Sequence, residues 1–324
     1  MHILGIDIAK EKFDVTLLGG SQPLAGQFDN DAAGFDRLQH WLQKRRVEQL
    51  QACMEATGAW WEELALFLHE AGYQVSVVNP KLIKRHAESI MQRNKTDRQD
   101  AATIADYCLR QTPKLWTPPP EANRRLRALV RHLQSLKEYR TRESNRLKAH
   151  VSEPAVHDLI AQHLRFLDQQ IATLEQEIAD HIDHHPGLKE DKQLLTSIPG
   201  IGDLTAALFL AEVPDVTRFA QAGQLAAFAG LTPAQQQSGS SIRKPARLVK
   251  WGNRHLRRGF YMPALSAHRF NPLIADMRAR LLQRGKSKMT VVVACMRKLL
   301  HLAYGVLKTR QPFDPNHAVK MQTT

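Results

Sequence analysis

The sequence predicts an α/β layer at the N-terminus, a helical connector, and a strongly basic, mainly α-helical C-terminal domain. Three observations predict this. Strand patterns alternate with helix patterns through the first third of the chain. A proline-rich break, "TPPP", is followed by long helical periodicity. Charge is also segregated. Residues 1–60 hold six Lys/Arg against eight Asp/Glu, whereas residues 241–300 hold fifteen against Asp276 alone, so that one window carries the whole +13 surplus. The expected division is residues 1–120, 121–186 and 187–324.

Each element follows from its pattern. "HILGIDIAK" is an apolar strand from Ile3 to Ile8 interrupted by Asp7, and "KFDVTLL" alternates and ends at Gly19-Gly20. "AAGFDRLQHWLQKRR" spaces Phe35, Leu38, Trp41 and Leu42 as a helix does. "LQACMEA" is a third strand, ending in Glu55. "WWEELALFLHEAG" is a helix stopped by Gly72, and "YQVSVVNP" a strand closed by Asn79-Pro80. "KTDRQDAATIADYCLR" is the next helix. After "TPPP", an arginine-dense helix runs from Glu121 to about Ser152. Beyond Pro154, Ile160, Leu164, Leu167, Ile171, Leu174, Ile178 and Ile182 recur at spacings of four and three. That seam fits a coiled coil or an amphipathic helix packed on its own domain. "HHPG" ends it. The remainder reads as helical, with one turn, "SIPGIG", and one loop of small polar residues.

Composition narrows the function classes. Cys53, Cys108 and Cys295 are far apart and lack metal-ligand spacing, which predicts a reduced, cytoplasmic protein. The N-terminus lacks the pattern of a signal peptide. No membrane is expected: the longest apolar stretch, Met289 to Leu307, is broken by Arg297, Lys298 and His301. The pI of about 9.8 and the basic window predict a phosphate-binding surface. Aromatic residues make up only 6%, so base stacking is not expected to dominate. No GxxxxGK[ST] nucleotide loop is present.

Four carboxylates carry the chemistry. Asp7 sits mid-strand between Ile6 and Ile8, where an unpaired charge is costly. Glu55 ends another apolar strand. Asp97 and Asp100 are three apart near a helix start, so they face one side. If adjacent strands present Asp7 and Glu55 at one end and the helix brings Asp97 and Asp100 over it, the set suits hard cations. Two Mg²⁺ ions so held could activate a nucleophile and stabilise a leaving oxygen on phosphorus. The plainer alternatives are Asp100 paired with Lys95 or Arg98, and Asp97 as a helix cap. Asp14 is also on a strand, where alternation sets it opposite Phe13 and Val15, toward solvent.

"GIDIAK", "EATG" and "NKTDRQDA", in that order, resemble the N-terminal domain of a group of insertion-sequence transposases related to the pilin-gene invertases. The resemblance implies a RuvC-like domain of RNase H-type fold with an Asp-Glu-Asp-Asp metal site formed by Asp7, Glu55, Asp97 and Asp100. "IPGIG", "FAGLTP", "SGSS" and "MRKLLHLAYGVLK" are similar to the C-terminal transposase domain of the same family.

Within that half, Gly200 and Gly202 precede a helix, as in a helix-hairpin-helix phosphate contact or a plain packing corner. Ser238, Gly239, Ser240 and Ser241 form a small loop followed by Arg243, Lys244, Arg247 and Lys250, with Arg254, Arg257 and Arg258 on the next helix. On residues alone, these serines either attack phosphorus or only contact phosphate. The resemblance implies that Ser238 is a nucleophile that becomes joined to DNA. It further implies donor and target DNA as substrates, a structured bridge RNA as guide, and a dimer or tetramer uniting sites of different protomers. The dimer is expected to pair through the heptad seam. Arg124, Arg125, Arg127 and Arg131 are expected to bind nucleic-acid backbone with the basic window. The rival reading is a Holliday-junction resolvase that uses the same acids and water.

Overall fold

The computed structural model describes residues 1–91, 96–149, 153–238, 242–248 and 251–316. The chain forms two compact units, residues 1–118 and 119–324.

The first unit contains β1 (His2–Ile8), β2 (Lys12–Leu18), β3 (Leu24–Asp29), α1 (Ala32–Gln43), β4 (Leu50–Glu55), α2 (Glu62–Glu70), β5 (Gln74–Val78), α3 (Pro80–Ser89) and α4 (Asp97–Gln111). Its sheet has the order β3-β2-β1-β4-β5. β1 pairs with β2 antiparallel and with β4 parallel, and β4 pairs with β5 parallel. Strand alternation sorts residues onto two faces. Leu4, Ile6, Phe13, Val15 and Met54 share one buried core with Leu38 and Leu42 of α1 and Leu64 and Leu68 of α2. Ile3, Cys53 and Val78 share the other with Ile104, Ala105 and Cys108 of α4.

In this unit β3 and α3 were not anticipated. β3 is an edge strand, largely exposed, so it lacks the apolar signal of a core strand. α3 begins at Pro80, read above as a strand stop; Asn79 accepts a hydrogen bond from Lys81 N, and Pro80 takes the first helical position.

The second unit contains α5 (Glu121–Lys148), α6 (Pro154–Asp183), α7 (Pro186–Thr196), α8 (Asp203–Glu212), a short 3₁₀ turn, α9 (Ala222–Phe228), β6 (Pro233–Ser238), β7 (Ile242–Leu248), α10 (Arg254–Gly259), α11 (Tyr261–Phe270), α12 (Pro272–Gln283) and α13 (Lys288–Thr309). One continuous core runs from α5 and α6 to α13, so the connector belongs to the same body as the C-terminal helices. α13 is long and apolar enough to cross a membrane, and its Val291, Cys295, Leu299, Ala303 and Val306 are buried in that core.

Much of the heptad seam packs within the chain, as the reading of an amphipathic helix on its own domain expects. Leu167, Ile171, Ile178 and Ile182 share a core with Leu126, Val130, Leu133 and Leu136 of α5. The helices run antiparallel: Arg140 pairs with Asp168, Lys137 with Glu175, and the His181 ring with the Ala122 carbonyl. A periodic apolar stripe cannot tell a partner chain from a neighbouring helix.

The loop expected around Ser238 lies largely in a β-hairpin. β6 and β7 pair antiparallel, with an irregularity between Ala234 and Gln236. Their sequences, PAQQQS and IRKPARL, carry few apolar residues, so no buried strand face signalled them.

Candidate active site

Register places the first two acids side by side. Ile6 of β1 is opposite Met54 of the parallel β4, so Asp7 and Glu55 follow as neighbours at the carboxyl ends of these strands. Both lie on the face covered by α4, in step with Gly5 and Cys53.

The helix reaches that end because Gly5 lets it approach. A Cβ on Gly5 would lie 2.2 Å from the Ala101 carbonyl oxygen and 2.3 Å from Ala105 N. The sheet-facing stripe of α4 is Ala101, Ile104, Ala105 and Cys108, all fully buried. Asp97 and Asp100 extend the same stripe by one turn, about 5.4 Å toward the helix start. Lys12, the first residue of β2, places its Nζ 3.7 Å from Asp97 Oδ2.

Further contacts fix α4 in place. Thr96 Oγ1 accepts from Gln99 N and caps the helix, so Asp97 is its first residue and the reading of Asp97 as a cap is excluded. His86 of α3 lies 2.8 Å from Asp106 Oδ2, and Arg110 donates to both oxygens of Asp106. Burial would raise the Asp106 carboxyl, but Arg110 and His86 hold it below its ordinary value. Of "NKTDRQDA", Asn94 and Lys95 lie outside the described residues.

Asp7, Glu55 and Asp100 are half-buried, and Asp97 is exposed. Thr57 Oγ1 donates to Glu55 Oε2 at 3.3 Å. Asp14 corrects the sequence reading. It is directly opposite Asp7 in the β1–β2 register, half-buried on the same face, and accepts from Gln27 Nε2 at 3.1 and 3.0 Å. The alternation with Phe13 and Val15 holds, but the face away from them is covered by α4. The acids at this end offer oxygen donors, the type hard cations take. Among the described residues, no group of three or more His, Cys, Asp and Glu side chains closes into a metal cage. The three cysteines are buried free thiols.

In the second unit, Ser238 is the last residue of β6, paired with Ile242. Arg243, Lys244 and Arg247 lie on β7, in register with Gln237, Gln236 and Ala234. Gly239, Ser240, Ser241 and Lys250 lie outside the described residues.

The expected nucleic-acid residues divide by environment. Arg125, Arg254 and Arg258 are exposed; Arg124, Arg127 and Arg257 are half-buried. Arg258 pairs with Glu138. Arg131 is half-buried and pairs with the buried Glu212 carboxylate. Its Nε and Nη2 donate to Glu212 at 2.7 and 3.0 Å, and that carboxylate also accepts from Asn253. Burial would raise the Glu212 carboxyl; Arg131 and Asn253 outweigh it, leaving it below the ordinary value. Gly200 has φ +105°, and a Cβ there would meet Ala267 of α11 at 2.5 Å, so this glycine serves a packing corner. Gly202 is exposed at the start of α8, followed by Asp203, which pairs with Lys192.

The mixed five-stranded sheet, its carboxylates at the ends of the two central strands, and the separate helical unit are consistent with an RNase H-like DEDD domain joined to a helical transposase region. Residues 4–154 match the family model DEDD_Tnp_IS110, described as a transposase, and residues 192–278 match that of the transposase IS116/IS110/IS902 family. The pilin gene-inverting protein of Moraxella bovis is 35% identical over 315 residues, 96% of this chain and 97% of that protein. The transposase for insertion sequence element IS1328 of Yersinia enterocolitica is 26% identical, over 60% of this chain and 64% of its own length. That for IS1111A of Coxiella burnetii is 24% identical, over 74% and 71%. The chain belongs to the IS110 family of transposases, enzymes of DNA transposition and recombination.

Proposed function

We propose that this transposase is a site-specific DNA recombinase in which Asp7, Glu55, Asp97 and Asp100 hold divalent metal and Ser238 is the nucleophile. The observation that carries the first part is the meeting of β1, β4 and the first turn of α4 at one end of one sheet face. Bound there, Mg²⁺ would neutralise charge developing on a scissile phosphate. The family resemblance around "SGSS" supports Ser238, and its place at the end of β6, beside a strand bearing Arg243, Lys244 and Arg247, agrees with a phosphate partner.

The chain's own part in the reaction balances without a nucleotide cofactor. The Ser238 hydroxyl oxygen bonds to phosphorus and loses its proton, the bond from phosphorus to the 3′ oxygen breaks, and a proton passes to that 3′ oxygen, releasing a 3′ hydroxyl. A 3′ hydroxyl of another DNA then displaces Ser238 and restores the serine. A bridge RNA would supply sequence recognition, and a dimer or tetramer would unite acids and serine from different copies. Both follow from the resemblance.

The test incubates protein, RNA and donor DNA with Mg²⁺ and seeks a DNA-linked peptide by mass spectrometry. A link at Ser238 that is lost in Ser238→Ala supports the reading. Undiminished cutting by Ser238→Ala identifies a resolvase that uses water.

A further inference from the structure

The second unit contains a cavity of about 440 Å³ whose wall has two chemistries. Leu231, Leu248, Val293 and Met296 supply an apolar floor. Arg254, Arg257 and Arg258 of α10 stand around it with Tyr261, the first residue of α11. Among the described residues the lining holds one carboxylate, Glu138, which pairs with Arg258, beside the Arg254 and Arg257 guanidiniums. A groove that only tracked phosphates would need no apolar floor, and a pocket for an uncharged apolar ligand would need no arginines. A flat heteroaromatic ring carrying an anionic group needs both.

We infer that this cavity receives one unpaired nucleotide of a nucleic-acid strand, its base on the apolar floor against Tyr261 and its phosphate among the α10 arginines. Tyr261 is 37% exposed, so its ring is available at the cavity wall. Stacking of a base on an aromatic ring is tolerant of sequence, and arginine adds attraction for the phosphate. The polar lining suits a base edge. His255 lies with Nδ1 2.7 Å from Gln134 Oε1. Burial holds this imidazole below its ordinary value, and the neutral ring that donates from Nδ1 retains Nε2 as an acceptor. The Gln134 amide nitrogen remains a donor beside it. Leu231 and Leu248 flank the two ends of the β6–β7 hairpin, so the pocket sits at the root of the element carrying Ser238. The inference rests on the reading of this chain as an enzyme acting on nucleic-acid strands.

The test measures binding of the full chain to short fluorescent strands: single-stranded DNA, single-stranded RNA, the same strands with every base removed, and duplex DNA. Tyr261→Ala is expected to weaken intact single strands by about five- to a hundredfold, and Tyr261→Phe by less than about twofold. Base-free strands and duplex should change less than about twofold with either variant. A larger loss for DNA or for RNA names the strand that supplies the nucleotide. An unchanged affinity in Tyr261→Ala, or a loss shared equally with base-free strands and duplex, overturns the inference. Strand cleavage is scored separately: an absent pocket leaves cleavage at the acid site intact, whereas failure of the enzymatic reading abolishes cleavage in the unmodified chain.

Discussion

The acid end of the first unit and the basic helices of the second are built in opposite ways. The proposed acids come from β1, β4 and α4, spread over residues 7–100, and strand register sets Asp7 beside Glu55 and opposite Asp14 of β2, with α4 over the same face. The cations of the second unit are neighbours in sequence, crowded on β7 and α10. Like carboxylates repel, so gathering them requires a rigid frame and a function. Cations strung along one segment need only an anionic partner. The first unit therefore depends on exact packing and the second on summed charge.

Experiments can press on that contrast. The largest effect is expected from salt. If the second unit neutralises six to ten phosphates, raising salt from 50 to 200 mM should lower nucleic-acid affinity about 10³–10⁵-fold. A salt-insensitive affinity would erase the distinction. Next, Asp7→Asn should lower strand cleavage about 10²–10⁴-fold, the range for losing a positioned catalytic group, while affinity measured by anisotropy stays unchanged.

Arg131→Met tests whether a cation of the second unit is structural. It strands the Glu212 carboxylate, 6% exposed, and should destabilise the fold by about 3–5 kcal/mol in denaturant titration. The salt slope of binding should not move; a slope reduced by about one would return Arg131 to the phosphate contacts. The pH dependence has a definite sign. Glu212 has a lowered folded value, so its stabilisation is fully present above the ordinary unfolded value of about 4.3 and is lost as pH falls through the folded one. Arg131→Met should remove that part of the acid sensitivity. The smallest effect is expected from Gly5→Ala. Its methyl would overlap the α4 backbone, costing about 1–3 kcal/mol of stability. Cleavage should fall with it, because α4 carries Asp97 and Asp100.

Legibility followed the strength of the local signal. β1, β2, β4, β5 and α4 were readable because their apolar residues recur with the strand or helix period. β3 and the β6–β7 hairpin were not, since polar strands show little alternation. Asp7, Glu55, Asp97 and Asp100 stood out by their placement on strands and a helix start, whereas Asp14 was misplaced because its facing layer is α4, far away in sequence. Gly5 in "LGIDI" was the available sign that a backbone comes close there. Nothing local marked Arg131 among the arginines of α5, since its partner lies 81 residues on.

By itself the sequence determined the element types, the family, the charge segregation and the acids worth watching, because periodicity, motif and charge are properties of neighbouring residues. Tertiary structure alone decided that Leu167, Ile171, Ile178 and Ile182 of the seam pack on α5, that Asp14 shares a face with Asp7, and that Arg131 pairs with Glu212. Those outcomes depend on which distant surface covers a given face, and burial free energy favours any complementary surface equally until the chain path selects one.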